Sequence, residues 1–290
     1  MTATTLEPQA RPAEPPHWAD LDEQRGTLAT LWSDSMVYAA RNIAHIRQIP
    51  EKLLDVTLQP LMFVLLFAYV FGNVIHVPGG SYREYIIGGV LVQTRAFGIM
   101  GPATSIATDL TEGIVDRFRS LPMARSAYLL GHLLAEMASI TVGIVVLCLS
   151  GLVVGWRIHS DLPHALAGFA LLLLFAFAML WVGTLLGILV RSPDSAQGIV
   201  FVAIFPLTFL ANTFVPLAGL PKVLREFASY NPISSVAAAA RSLFGNPVAT
   251  PAHPSWPLAH PVLSAFGWCL LIIAIAGPLT VARYRSRTTD

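Results

Sequence analysis

The charged side chains that could recognise another molecule are concentrated in Asp109–Arg125, which reads DLTEGIVDRFRSLPMAR. This stretch holds six charges, although only 12% of the chain is charged. If it is a helix, its apolar residues share one face and its ionisable residues lie on the opposite one. The apolar face comprises Leu110, Ile114, Phe118 and Leu121, and the charged face Asp109, Glu112, Asp116 and Arg119. Such a helix would rest its apolar face on the protein and offer its charges to something outside it.

Arg95 is a second candidate, because it is a basic residue well inside a long apolar run. A charge at membrane depth costs about 3 kcal/mol or more on insertion scales. The side chain must therefore face the helix bundle, a water-filled cavity or a carboxylate. Three interpretations stay open: contact with a polar or anionic substrate group, a structural partner for an acid or backbone carbonyls, or a position on a wet cavity wall if the helix breaks near Gly98.

A third candidate is an aromatic face with a single amide. Its residues are spaced at i, i+4, i+8 and i+11, so on a helix they share one side. They are Phe201, Phe205, Phe209 and Asn212. Such a face can stack a planar molecule, and it is equally suited to helix packing or to a dimer seam.

The remaining reactive side chains do not form a recognisable catalytic or metal-binding pattern. His132 and Glu136 share a helix face, but two ligands from one helix do not make a metal site. Cys148 and Cys269 lie in apolar runs and are expected to be buried free thiols. There is no G-x-x-x-x-G-K-[ST] phosphate loop, Ser-His-Asp order, CxxC pair or HExxH motif in the sequence. We therefore predict no enzyme activity, metal or cofactor for this chain.

Composition places the chain among integral membrane proteins. Its 290 residues are 54% hydrophobic, and its mean hydropathy is +0.63. The net charge of +1 is too small to indicate binding to the negatively charged phosphates of nucleic acid.

Apolar runs of sufficient length predict an all-α fold with six transmembrane helices. The predicted spans are about 56–75, 85–108, 129–156, 165–190, 195–215 and 261–282. Residues 1–27 are rich in proline and few are apolar, which predicts a disordered cytoplasmic tail before a transmembrane domain at 28–290. An amphipathic stretch from Leu28 to Ile49 predicts an interfacial elbow helix. The charged helix, at 109–121, falls between the second and third spans.

The distribution of lysine and arginine predicts the orientation. With both termini inside, cytoplasmic segments hold twelve of these residues and outer segments five, with Arg95 in the membrane. The positive-inside rule then places the charged helix in the cytoplasm. The long segment from Pro216 to His260 lies outside. It contains two short helical patterns that are candidates for re-entrant helices.

Three motifs resemble a known family. Pro50–Gly72 reads PEKLLDVTLQPLMFVLLFAYVFG and resembles the first elbow and span of ATP-binding-cassette exporter permeases of the second type. Thr108–Glu136 is similar to that family's cytoplasmic motif, with an acid, Glu-Gly, an arginine pair, proline and a Leu-Leu-Gly step. Phe214–Leu243 is similar to its outer re-entrant segment, including Asn231-Pro232. The nearest branch is the daunorubicin/doxorubicin-resistance permease group. Members often carry an acid just before the outer arginine, and Ala237–Ala240 offers none for Arg241.

The resemblance implies a multi-pass permease of the cell membrane that exports a hydrophobic or amphipathic drug or antibiotic. It implies a second permease copy, normally a homodimer, and a separate cytoplasmic ATPase subunit that binds ATP. The charged helix would then be the coupling helix, with the candidate docking residues Asp109, Glu112, Gly113, Asp116, Arg117, Phe118 and Arg119. A lipid or glycolipid exporter, a proton-coupled secondary transporter and a membrane anchor without transport are the alternatives.

Overall fold

The structure is a computed structural model that describes residues 58, 61–72, 74–112, 127–251 and 253–286. These residues fold almost entirely into helices, which confirms the predicted helical class for this part of the chain. The helices are α1 Leu61–Phe71, α2 Tyr82–Phe97, α3 Met100–Thr111, α4 Ala127–Val154, α5 Leu162–Leu189, α6 Pro193–Phe209, α7 Lys222–Tyr230, α8 Pro232–Phe244, α9 Trp256–Ala259 and α10 Pro261–Ser286.

Four helical segments are long and apolar enough to cross a membrane. They are Tyr82–Thr111, His132–Val154, Leu162–Leu189 and Pro261–Tyr284. They correspond to the second, third, fourth and sixth predicted spans, with boundaries shifted by a few residues. α1 and α6 are apolar but shorter. The full set of six spans, the elbow helix and the inside position of both termini stay predictions.

The predicted fifth span, 195–215, is too long at its C-terminal end. α6 is 17 residues long, contains Pro206 and ends at Phe209. The chain then turns, and the hydroxyl group of Thr213 donates a hydrogen bond of 2.6 Å to the carbonyl oxygen of Thr208. Helical periodicity therefore stops before Asn212, which the sequence pattern had placed on the same helix.

The second predicted span is interrupted, as one interpretation of its glycines anticipated. α2 ends at Phe97, a turn occupies Gly98 and Ile99, and α3 begins at Met100. Pro102 lies in the first turn of α3, where a missing backbone N–H has no cost. The last turn of α3 includes Asp109, so the start of the predicted coupling helix is continuous with the second span. Residues 113–126, which contain the rest of that helix, lie outside the described residues.

α5 is the central helix and packs against α2, α3, α4, α8 and α10. Close packing is possible because small residues face its neighbours, as is usual between membrane helices. A Cβ atom at Gly168 would come within 2.7 Å of the Phe244 ring, and one at Gly183 within 2.4 Å of the Ile99 carbonyl oxygen.

Arg241 of α8 is fully buried at 0% exposure. Its Nε donates to the carbonyl oxygen of Tyr85 at 2.9 Å, and a terminal guanidinium nitrogen donates to that of Thr213, also at 2.9 Å. The guanidinium carbon lies 3.6 Å from the centroid of the Tyr85 ring. Backbone carbonyls and an aromatic ring therefore take the place of the acid that the sequence lacks before Arg241.

Glycines of α2 leave the space that the Arg241 side chain occupies. A Cβ atom at Gly88 would come within 2.7 Å of the Cγ of Arg241. A Cβ atom at Gly89 would come within 1.8 Å of the Thr213 carbonyl oxygen, a backbone atom that cannot rotate away. The contact between α2 and the turn after α6 thus requires glycine at position 89.

We expect Gly89→Ala to destabilise the bundle by about 1–3 kcal/mol, the usual cost of overpacking. Thermal unfolding of the purified protein in detergent measures the effect. The matched control is Gly267→Ala in α10, where an added Cβ meets nothing within 4 Å and alanine favours the helix. Equal midpoints for the two variants would contradict the close approach of α2 to Thr213.

Candidate functional site

A pocket of about 370 Å³ opens between α1, α2, the start of α3, α4 and α6. This volume is within the range of small-molecule sites, about 300–1,000 Å³. One part of its wall is polar and comprises Gln93, Thr94, Arg95, Glu136 and Ser139. The other part is aromatic and comprises Phe63, Phe97, Phe201, Phe205 and Phe209. We refer to these two sets as the polar wall and the aromatic wall.

Arg95 lies on the polar wall and also connects two helices. The residue is 6% exposed, and its NH1 donates a hydrogen bond of 2.9 Å to the carbonyl oxygen of Ile140 in α4. Its Nε is buried and lacks a hydrogen-bond partner in the described part of the chain. Two of the three open interpretations of Arg95 therefore apply together: it has a backbone carbonyl as partner, and it lies on a cavity wall beside a helix break.

The helix break shapes the polar wall. Gly98 and Gly101 both line the pocket at the junction of α2 and α3. A Cβ atom at Gly101 would come within 3.4 Å of Oε2 of Glu136, so the missing side chain leaves room for this carboxylate. The hydroxyl group of Thr94 donates to the carbonyl oxygens of Val90 and Leu91 in its own helix.

Three of the five rings of the aromatic wall form a stack along α6. The ring centroids of Phe201 and Phe205 are 5.1 Å apart, and those of Phe205 and Phe209 are 4.3 Å apart. Phe97 of α2 extends the row at 6.5 Å from Phe201. The three phenylalanines of α6 are 52%, 38% and 42% exposed, so their outer faces are available to another molecule.

The structure therefore brings together four of the five residues proposed for a substrate path. Arg95, Phe201, Phe205 and Phe209 line one pocket. Asn212 does not, because α6 ends before it. Asn212 is buried and stabilises the turn after α6 instead: its backbone carbonyl accepts from the Tyr85 hydroxyl at 2.7 Å, and its N–H donates to the hydroxyl oxygen of Ser234 at 3.2 Å.

Several pocket residues escaped sequence reasoning. Gln93 and Thr94 are polar residues beside Arg95 in an apolar run, and that local signal could have identified them. Ser139 and Phe63 come from helices far away in the sequence, and nothing in the sequence links them to Arg95. Glu136 was noted for its spacing from His132, which is buried, but was not placed on the substrate path. In the described ranges, no three His, Cys, Asp or Glu residues are grouped as a metal site.

The predicted coupling residues are described only in part. Asp109 lies in the last turn of α3, and Glu112 follows it at the helix C-terminus, with its side chain exposed. Gly113, Asp116, Arg117, Phe118 and Arg119 lie outside the described residues. Docking through this segment stays a prediction.

Comparison with known proteins decides the family. The sequence model of the family described as ABC-2 type transporter matches residues 35–244. The chain belongs to this family. ABC-2 proteins are membrane permeases that act in ABC transporters together with ATP-binding subunits and are not catalytic themselves. The protein is thus an integral protein of the cell membrane.

Its relatives include permeases named for drug resistance. The daunorubicin resistance ABC transporter permease protein DrrB1 of Streptomyces coeruleorubidus is 28% identical over 264 residues, which cover 91% of this chain and 90% of that protein. The doxorubicin resistance ABC transporter permease protein DrrB of Mycobacterium tuberculosis is 30% identical over 201 residues, or 69% of each protein.

We expect Arg95→Gln to lower transport about tenfold while the protein still assembles, because a charged hydrogen-bond donor is lost from the pocket wall. Transport in vesicles and size-exclusion chromatography measure the two effects. Arg157→Gln is the matched control, since the Arg157 guanidinium also donates to backbone carbonyls but does not line the pocket. Collapse of assembly in Arg95→Gln alone would show that Arg95 only ties α2 to α4.

Proposed function

We propose that this ABC-2 permease is the membrane subunit of an exporter that moves a hydrophobic or amphipathic drug or antibiotic out of the cell. A separate cytoplasmic ATPase subunit supplies the energy. The observation that carries this proposal is the pocket, which combines a polar wall containing Arg95 with a row of stacked phenylalanines. The drug-resistance names of the relatives support the same substrate class.

The two walls suit an amphipathic molecule. Exposed phenylalanine faces attract flat aromatic or hydrophobic groups, and each aromatic pair contributes about 0.5–1.5 kcal/mol beyond its buried area. Arg95, Gln93 and Ser139 supply polar contacts in the same cavity. A few polar groups in an otherwise apolar pocket fix the orientation of a ligand.

A single helix connects the pocket to the predicted ATPase contact. α3 begins at the pocket, where Gly101 lines the cavity, and ends at Thr111 beside Glu112. Asp109 follows Gly101 by eight positions, which correspond to about 12 Å of helix. A displacement of the cytoplasmic end of α3 would therefore move the part of the pocket lining at Gly101. In this way ATP binding by the partner would change the cavity.

A second permease copy would complete the cavity. The phenylalanines that α6 contributes to the aromatic wall remain partly exposed in the single chain. A homodimer would place two such walls opposite each other and exclude lipid and water from the cargo path. This assembly belongs to the proposal.

We expect charge reversal in the double variant Glu112→Lys, Arg119→Glu to abolish association with the ATPase while membrane insertion is retained, because the ion pairs of the docking face are inverted. Co-purification from detergent measures association. Lys222→Glu with Glu226→Lys, which reverses two exposed charges on α7, is the control. Normal complex formation by the Glu112 and Arg119 variant would refute the docking role.

We expect Phe205→Ala to weaken binding of daunorubicin by about two- to tenfold, because one stacking partner is lost. Quenching of the drug's fluorescence by the purified permease–ATPase complex measures binding, and drug-stimulated ATP hydrolysis gives an independent readout. Phe227→Ala removes a comparably exposed ring from α7, away from the pocket, and should have no effect.

The same assays separate the alternative functions. Stimulation by lipids or glycolipids, with no response to planar drugs, would favour the lipid exporter. Transport in vesicles that contain the permease and no ATPase would reject the ABC exporter and favour a secondary transporter. An assembled complex without transport of any substrate would favour an anchor.

A further inference from the structure

The wall of the pocket also contains a carboxylate. Glu136 of α4 lines the cavity, and it is the only Asp, Glu, Lys or Arg in the apolar segment His132–Val154. An ionisable residue inside such a segment is costly to insert, and it commonly marks the path of a substrate or an ion. The polar contacts proposed above come from other residues of the wall, so this carboxylate is available for a further role.

Gly101 shows where the carboxylate lies. For a Cβ atom added at Gly101, the three nearest atoms would be the carboxyl carbon and the two carboxylate oxygens of Glu136, at 3.4, 3.8 and 3.9 Å. The charged end of the side chain, rather than its aliphatic part, therefore lies against the first turn of α3. Since both residues line the cavity, the negative charge is at the pocket wall beside the break between α2 and α3.

Arg95 does not neutralise this carboxylate through a direct ion pair. Its guanidinium group donates to the carbonyl oxygen of Ile140, and in the described part of the chain it has no carboxylate within ion-pair distance. Arg95 belongs to the last turn of α2, before the break, whereas the Glu136 carboxylate lies against α3, after it. The pocket therefore presents a positive and a negative group at separate places.

Two features of the wall favour a cation near Glu136. A carboxylate accepts charge-assisted hydrogen bonds from an ammonium group, and these are roughly twice as strong as hydrogen bonds between neutral groups. The partly exposed rings of Phe201, Phe205 and Phe209 line the same cavity. The face of an aromatic ring is negative and attracts a cation as well. An anionic group would gain neither contact.

We propose that Glu136 is a specificity-determining residue of the pocket and selects amphipathic cargo that carries a protonated amine. The ammonium group binds the Glu136 carboxylate at the helix break, while the apolar part of the cargo contacts the aromatic wall. Arg95 and Gln93 then remain for hydrogen-bond acceptors of the same molecule, such as carbonyl oxygens. The inference rests on the exporter function proposed above and adds the charge of the substrate.

A carboxylate with a purely structural role would have a different effect. It would stabilise the break between α2 and α3, so its loss would weaken the binding of every cargo to a similar extent, whatever the charge of the cargo. A carboxylate that recognises an amine affects only the cargo that carries the positive charge. The charge selectivity of binding therefore separates the two roles.

The experiment compares two probes that share one ring system and differ in charge. They are daunorubicin, which carries a primary amine that is protonated at neutral pH, and N-acetyldaunorubicin, in which the acetylated nitrogen is neutral. Quenching of their fluorescence by the purified permease–ATPase complex measures binding. We expect the wild-type complex to bind daunorubicin about tenfold more tightly than the acetylated probe, because the acetylated probe cannot form the charge-assisted hydrogen bond.

Three variants locate this preference. Glu136→Gln should lower the affinity for daunorubicin about tenfold and change the affinity for the acetylated probe by less than about twofold. Glu136→Asp keeps the charge and should still prefer daunorubicin. Glu226→Gln, which removes an exposed carboxylate from α7, is the matched control and should behave as the wild type. ATP hydrolysis stimulated by each probe gives a second readout.

The outcomes separate this inference from the exporter function. An equal loss of affinity for both probes in Glu136→Gln, or no change for either, would overturn the amine selectivity of Glu136. Loss of the preference in Glu136→Asp would do the same. So would equal binding of both probes by the wild-type complex, a measurement that does not depend on the folding of any variant. In each of these cases drug export stands. A wild-type complex that binds and transports neither probe would overturn the proposed drug export, and the amine selectivity with it.

Discussion

A buried arginine with no carboxylate partner constrains this bundle more than any other described contact. Moving an unpaired charge out of water is costly, so Arg241 needs hydrogen-bond acceptors from elsewhere. It obtains them from the backbone carbonyls of Tyr85 and Thr213 and from the face of the Tyr85 ring. Since these groups belong to α2 and to the turn after α6, the three segments must meet at one point, and glycines at 88 and 89 provide the space.

The same constraint positions the pocket. α2 holds Tyr85 near its N-terminal end and Arg95 near its C-terminal end, ten positions later, which corresponds to about 15 Å of helix. Fixing Tyr85 against Arg241 fixes the end of α6, and with it the row of phenylalanines that lines the same pocket as Arg95. The polar wall and the aromatic wall therefore meet in one pocket as a consequence of a contact that belongs to neither wall.

Interruptions in the helices join the pocket to other parts of the bundle. The turn between α2 and α3 opens the cavity at Gly98 and Gly101, and α3 continues from there to Asp109 and Glu112. At the other end, the early end of α6 turns the chain so that Phe214 joins the rings of α1. A transporter needs such discontinuities, since straight helices packed along their full length would leave neither a cavity nor a segment that transmits motion to it.

The sequence by itself determined the features that depend on local pattern. The length of the apolar runs indicated most of the spans, and glycine and proline indicated the break in the second span. The recurrence of phenylalanine at every fourth residue placed Phe201, Phe205 and Phe209 on one helix face. Only the tertiary structure decided which segments meet. Arg241 contacts Tyr85 across 156 residues, Arg95 contacts Ile140 across 45, and Asn212 leaves the aromatic face because α6 ends at Phe209. Periodicity reports the environment of one helix and contains no information on its partner. The partners were therefore set by the need to satisfy buried polar groups and to fill the space beside small residues.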